Sequence, residues 1–167
     1  MEKLWLKSYS QGVAAEIDLS VIGSIADYLE HAVRDFGPRQ AFVSGATGVA
    51  ITYNELDVLS RQVSAYFQSV IGLPKGARVA LMMPNILQYP ICLFGLLRAG
   101  YVVANVNPLY TPRELEHQLK DSGAEAIIVL EQFAHTVESV IAKTSVKHVV
   151  TTGVADMMPF AKRVIGN

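Results

Sequence analysis

The chain has 167 residues, 51% of them hydrophobic and 17% charged, enough apolar material for a sizeable core and too much for a disordered segment. Fourteen basic and fifteen acidic residues leave a formal net charge of -1, with no run of Lys or Arg to neutralise a phosphate backbone, so no nucleic-acid partner is expected. Cys92 is the single cysteine, which excludes an internal disulfide and a thiolate metal cluster and fits a reducing cytoplasm.

In chain order, "MEKLWLKSYSQG" carries two lysines and no apolar block after them, unlike a secretory signal. Ser24 to Phe36 places Ile25, Leu29, Ala32, Val33 and Phe36 at helical spacing, and Gly37-Pro38 stops the run. "AFVSGATGVAIT" then predicts a β-hairpin, two apolar runs around a Gly-containing turn. Thr52 to Val70 predicts a second helix, ended by Gly72. Asn85 to Arg98 is apolar on most sides, as for a helix buried against a sheet, with Cys92 a small buried hydrophobe within it. Pro84, Asn85, Gln88, Pro90 and Arg98 interrupt this stretch, so none of its pieces reaches the ~20 apolar residues of a membrane span. Pro112 to Ser122 and Gln132 to Lys143 are the last two predicted helices.

Four short Val- and Ile-rich runs lie between or after these helices: Arg78 to Met83, Tyr101 to Val106, Ala126 to Leu130 and Lys147 to Thr151. Nearly continuous apolar runs are the pattern of parallel strands covered on both faces. Strand and helix alternate from Arg78 onward. The expected fold is therefore α/β, a mostly parallel doubly wound sheet with flanking helices, preceded by a helix and a β-hairpin. The expected division is 1–72 for helix, hairpin and helix, and 73–167 for the parallel unit.

"NPLYTPRELEHQLKDSGA", Asn107 to Ala124, concentrates charge and a histidine, yet each residue has a place in a helix boundary. Thr111 caps, Pro112 opens, and Glu114 completes a capping box. Tyr110 and Leu115 form a hydrophobic staple, Glu116 and Lys120 an i,i+4 pair, and Gly123 supplies the left-handed stop. "ITYNEL" repeats the device with Thr52, Glu55, Ile51 and Leu56. An acid–base pair of Glu114 and Glu116 fails, because residues two apart point to different faces. Glu114 with His117 makes one Glu-x-x-His, where a di-metal site needs two.

"SGATG", Ser44 to Gly48, and "LPKG", Leu73 to Gly76, resemble phosphate cradles, but no helix follows the first and no Gly/Ser/Thr run precedes Lys75 in the second. Both are expected to be turns. The helix starts at Asn85, Thr111 and Thr52 could offer amides to an anion, but each is expected to be occupied by its own cap. His31, His135 and His148 fall on separate elements without ligand spacing. No catalytic, cofactor-binding or metal-binding residue is expected in this chain.

Arg78 to Ala124, "RVALMMPNILQYPICLFGLLRAGYVVANVNPLYTPRELEHQLKDSGA", resembles the acyl- and aryl-CoA synthetase and luciferase superfamily of adenylate-forming enzymes. It looks most like the bacterial long-chain fatty-acid–CoA ligases, and the likeness runs from "WLKSY" through "FAHT" to "KHVV". "ITYNEL" and "LLRAGYVVANVNP" match the family's first two core motifs, both chiefly structural. The resemblance implies activation of a fatty acid with ATP and Mg2+ to an acyl-adenylate, then transfer to coenzyme A. It further implies that the phosphate loop, the adenine-contacting segments, the ribose-binding aspartate and the catalytic lysine lie downstream, with no counterpart here. The expected chain is the N-terminal part of an adenylation domain, catalytically incomplete, with a free-standing binding module as the alternative. The implied setting is cytoplasmic, leaving room for a homodimer and for peripheral contact with the inner face of the membrane.

Overall fold

Ser24 begins the first helix, α1 (Ile25–Phe36), by accepting the Asp27 N–H on its hydroxyl. The computed structural model describes residues 3–18, 20 and 23–158. The hairpin follows as β1 (Gln40–Val43) and β2 (Ala50–Thr52), an antiparallel two-stranded sheet with a register shift between Gln40 and Phe42. Helix α2 (Tyr53–Tyr66) continues into a wider π-type turn, Phe67–Ile71, and stops at Gly72 with φ 69°. Thus the predicted Thr52–Val70 helix is α-helical only to Tyr66.

The parallel unit alternates β3 (Arg78–Met82), α3 (Gln88–Arg98), β4 (Val102–Asn105), α4 (Pro112–Ser122), β5 (Ala126–Leu130), α5 (Ala134–Val140) and β6 (His148–Thr152). Its four strands are all parallel, in the order β4-β3-β5-β6. The chain steps outward from β3 to β4, then returns past β3 to β5. Crossovers of one hand must then place their helices on opposite faces. Packing shows that division. Val79, Leu81, Ile128 and Leu130 join Cys92 and Leu96 of α3. Ala80, Met82, Ile127 and Val129 join Leu115 and Leu119 of α4 and Val137 and Val140 of α5. The expected doubly wound α/β class is observed.

Three local expectations need correction. The predicted helix starting at Asn85 starts at Gln88, preceded by Leu87 without a side-chain cap, so Asn85 caps nothing there. The Gln132–Lys143 run is α-helical only over Ala134–Val140, with tighter 3-10 turns at Glu131–Phe133 and Ile141–Lys143. Burial on both faces holds for β5 and for all of β3 but Arg78, whereas β4 and β6 have no fully buried residue. The reason is position: β4 and β6 are the sheet edges, and a strand's apolar sequence does not say how many neighbours it has.

Helices α2 and α3 cross closely. A Cβ on Gly95 of α3 would stand 2.6 Å from Cβ of Val63 and 2.9 Å from the Ser60 carbonyl oxygen of α2. At the far end of this pair the Tyr101 hydroxyl donates toward the carbonyls of Phe67 (3.1 Å) and Leu73 (3.0 Å), tying the π-type turn to the amino edge of the sheet.

Candidate functional site

In open α/β sheets ligands bind beyond the carboxyl ends of the strands, where the connections diverge to opposite faces. Here that switch point lies between β3 and β5. Among the described residues the segments leaving the four strands are Met83–Leu87, Val106–Thr111, Glu131–Phe133 and Gly153–Met158, and within these bounds none contains a lysine or arginine. They are held together by neutral amides. Tyr89 donates to the Asn105 side-chain oxygen (3.0 Å), Gln118 to the Asn105 carbonyl (2.9 Å), and buried Gln88 to the Gly153 carbonyl (2.7 Å). Glu131 and Asp156 add negative charge. This edge can shape one wall of a cleft, but it has no cation of its own in those segments for phosphate; the nearest in sequence is exposed Arg113, in the first turn of α4.

The two glycine-containing stretches do not supply the missing charge. In the hairpin loop the Ser44 N–H donates to Val49 O (2.8 Å), Gly48 N–H to Ser44 O (2.8 Å), Thr47 N–H to Ser44 Oγ (3.4 Å) and Val49 N–H to Thr47 Oγ1 (3.3 Å). Amides spent inside the loop are not offered to an anion. Lys75 stands before β3, at the amino edge, the wrong end of the sheet for the crevice. Its aliphatic stem covers Gly100 (φ 82°), where a Cβ would meet Lys75 Cε at 2.8 Å, and the Gly76 N–H donates to Gly100 O.

Both capping boxes form as the spacing predicts. Thr111 Oγ1 accepts the Glu114 N–H (3.4 Å), while Glu114 Oε2 accepts from the Thr111 hydroxyl (2.7 Å) and N–H (2.9 Å). Thr52 and Glu55 repeat it, with the N–H donating at 2.7 Å and the hydroxyl at 2.8 Å. The Thr111 hydroxyl, then its N–H, hold the Glu114 carboxyl below the ordinary carboxylate range. For Glu55 the Thr52 N–H contributes most. Tyr110 packs in the same cluster as Leu115, and Ile51 in the same cluster as Leu56. Glu116 pairs with Lys120 at 2.6 Å, and more distantly with Lys143.

Burial pushes the Cys92 thiol up to about 12, so it is an inert core group. His31, His117, His135 and His148 sit on α1, α4, α5 and β6. Among the described residues no three His, Cys, Asp or Glu side chains come together as a metal site, and no helix is long and apolar enough to cross a membrane.

One charged cluster escaped the sequence reading. Arg98, with a side chain 8% exposed, pairs with Glu30 of α1 and with Asp57 of α2 (2.6 Å), and Arg61 pairs with the same two carboxylates at 2.9 and 3.0 Å. Only the Asp57–Arg61 spacing of four was visible in sequence. The cluster joins three helices, α1, α2 and α3, so its role is architectural.

Residues 29–165 match the AMP-binding enzyme family. The chain belongs to that family. The match covers most of the chain, including both capping boxes and the whole parallel sheet. The chain is 52% identical over all 167 residues to the long-chain-fatty-acid--CoA ligase of Salmonella typhimurium, and spans 29% of that protein's length. Among solved structures, a long-chain-fatty-acid-CoA ligase from Archaeoglobus fulgidus is 25% identical with a TM-score of 0.73, covering 81% of this chain and 29% of that one. The N-terminal domain of FACL13 from Mycobacterium tuberculosis is 25% identical with a TM-score of 0.72, covering 87% and 36%. The likeness to bacterial long-chain fatty-acid–CoA ligases read from the sequence is therefore shown.

Proposed function

We propose that this AMP-binding family member forms the N-terminal part of the adenylation domain of a long-chain fatty-acid–CoA ligase. In this reading 1–72 contributes helix, hairpin and helix, and 73–167 the parallel unit. The observation that carries the proposal is the 52% identity along the full chain to the Salmonella ligase. The complete enzyme uses ATP with Mg2+, and coenzyme A. A fatty-acid carboxylate oxygen attacks the α-phosphorus of ATP and pyrophosphate leaves; the coenzyme A thiol then attacks the acyl carbon and AMP leaves. The first step converts a poor leaving group, an oxide, into a good one. Its setting is the cytoplasm.

Within that enzyme the present chain has no catalytic, cofactor-binding or metal-ligating residue and contributes the scaffold beside the cleft. Support comes from the described part of the carboxyl edge, whose strand-leaving segments carry amides and two acids, and from the chain's spanning 29% of the Salmonella ligase it matches. Phosphate-binding charge and metal ligands must then come from elsewhere in the ligase. Calorimetric titration of the 167-residue chain with Mg-ATP should show affinity no tighter than millimolar, about 4 kcal/mol. Adding a long-chain fatty acid should release no pyrophosphate. Micromolar ATP binding, or fatty-acid-dependent pyrophosphate release, would overturn this reading.

A further inference from the structure

The two edges of the parallel sheet are finished differently. In a strand the N–H and C=O of one residue point to the same side, and that side alternates along the chain. Val102 and Val106 donate their N–H groups to Ala77 O and Leu81 O, so the backbone of Val103 and Asn105 faces outward from β4. That edge is covered at Asn105, whose carbonyl accepts from Gln118 of α4 at 2.9 Å. On the other edge the Lys147 N–H donates to Glu125 O at 2.8 Å. The backbone of Val149 and Thr151 therefore faces β5, and that of His148, Val150 and Thr152 faces outward, with no described side chain covering it as Gln118 covers Asn105. The β6 sequence, "HVVTT", has no proline, Lys, Arg, Asp or Glu to guard an open edge, and its register with β5 is unbroken. Both of its faces adjoin apolar grooves. One, of about 330 Å3, lies between Val150 and the α2 and α3 residues Leu59, Val63 and Ile91. The other, of about 370 Å3, lies between Val149 and Ala134, Val137 and Ile141. Each groove has an acid in its lining, Asp156 in the first and Glu138 in the second, and a second β6 would add no carboxylate beside either.

We propose that the β6 edge is an interface between two copies of this chain, paired antiparallel about a two-fold axis at Val150. The phase of the backbone chooses that occupant. The outward-facing residues His148, Val150 and Thr152 are symmetric about Val150, so a second β6 returns each donor to an acceptor. Val150 exchanges both hydrogen bonds with its own counterpart, and His148 exchanges with Thr152 of the second copy. An isologous contact requires such a self-complementary patch, and main-chain pairing supplies its affinity. The axis stands normal to the sheet and keeps the faces in common. Val150 of each copy then projects on the side of the first groove, and Val149 and Thr151 on the side of the second. Two four-stranded sheets become one continuous sheet. The interface belongs to the 167-residue chain and stands or falls apart from the ligase reading.

Sedimentation equilibrium of the full 167-residue chain tests the assembly, and disulfide trapping tests its register. A reversible dimer is expected. Val149 is 42% exposed and Thr151 is exposed, so the Val149→Lys, Thr151→Lys double variant should melt as the parent does. Across the two-fold axis it sets lysine opposite lysine, and it should weaken the dimer about tenfold or more. In the antiparallel pair Val149 stands opposite Thr151 of the second copy, at the close spacing of about 4.5 Å between Cα atoms. Mixing Val149→Cys chains with Thr151→Cys chains under mild oxidation should therefore yield the mixed disulfide in preference to either self-disulfide. Cys92 is buried and stays out of the exchange. A monomer at every concentration, a dimer that the lysine pair leaves intact, or absence of the mixed disulfide would overturn the proposal.

Discussion

Thr111 and Glu114 satisfy each other's donors and acceptors within one turn, and their exchange is linked to pH. A carboxyl lowered on folding binds fewer protons in the native state than in the unfolded one, so stability rises with pH across that interval. For Glu114 the contribution is complete above the ordinary carboxylate value and is lost as pH falls through the lowered value. Thr111→Ala should cost about 1 kcal/mol at neutral pH. The gap in urea midpoint between variant and parent should narrow on acidification toward pH ~3. A gap that widens on acidification would contradict the link. Arg98 belongs to the same scale with a larger consequence. Its side chain is nearly buried, both Nη atoms face carboxylates on different helices, and Nε has no protein partner. Removing the cation strands Glu30 and Asp57 with Arg61 alone, so Arg98→Ala should cost about 3 kcal/mol in denaturant unfolding. Arg98→Lys should recover only part of that, since an ammonium cannot present a planar fork to two carboxylates.

Among elements, the α2–α3 crossing depends on one missing side chain. Gly95 lies mid-helix, where alanine would ordinarily stabilise by up to about 1 kcal/mol. Here the added methyl would stand 2.6 Å from Val63 and 2.9 Å from a backbone oxygen, which cannot rotate away. Over-packing therefore outweighs propensity, and Gly95→Ala should destabilise by about 1–3 kcal/mol. Thermal unfolding of Gly95→Ala beside a Gly95→Ala, Val63→Ala double variant checks the cause: the second change should recover part of the loss. Ser60 and Ser64, buried polar residues on α2, belong to this crossing region too. Sequence reading placed both helices near their observed positions, but a glycine within "LFGLL" signals no contact by itself.

For the whole molecule, the capping boxes, the helix stop at Gly72, the left-handed stop at Gly123 and the apolar runs of β3 and β5 were all legible, because each rests on hydrogen bonds or on composition within a few residues. The family likeness was legible for the same reason, carried by contiguous stretches such as "NPLYTPRELEHQL". The strand order β4-β3-β5-β6 was not. Which strand becomes an edge depends on how crossovers return to the sheet, and Val102–Asn105 reads as apolar as Arg78–Met82 until the pairing is known. The candidate cleft wall and the Arg98 cluster share that dependence. Glu30 and Arg98 are 68 residues apart in sequence, and Gln88 and Gly153 are 65 apart. Local composition thus determined the elements and their ends, whereas burial, charge pairing and the shape of each cavity were decided only when the sheet brought distant segments together.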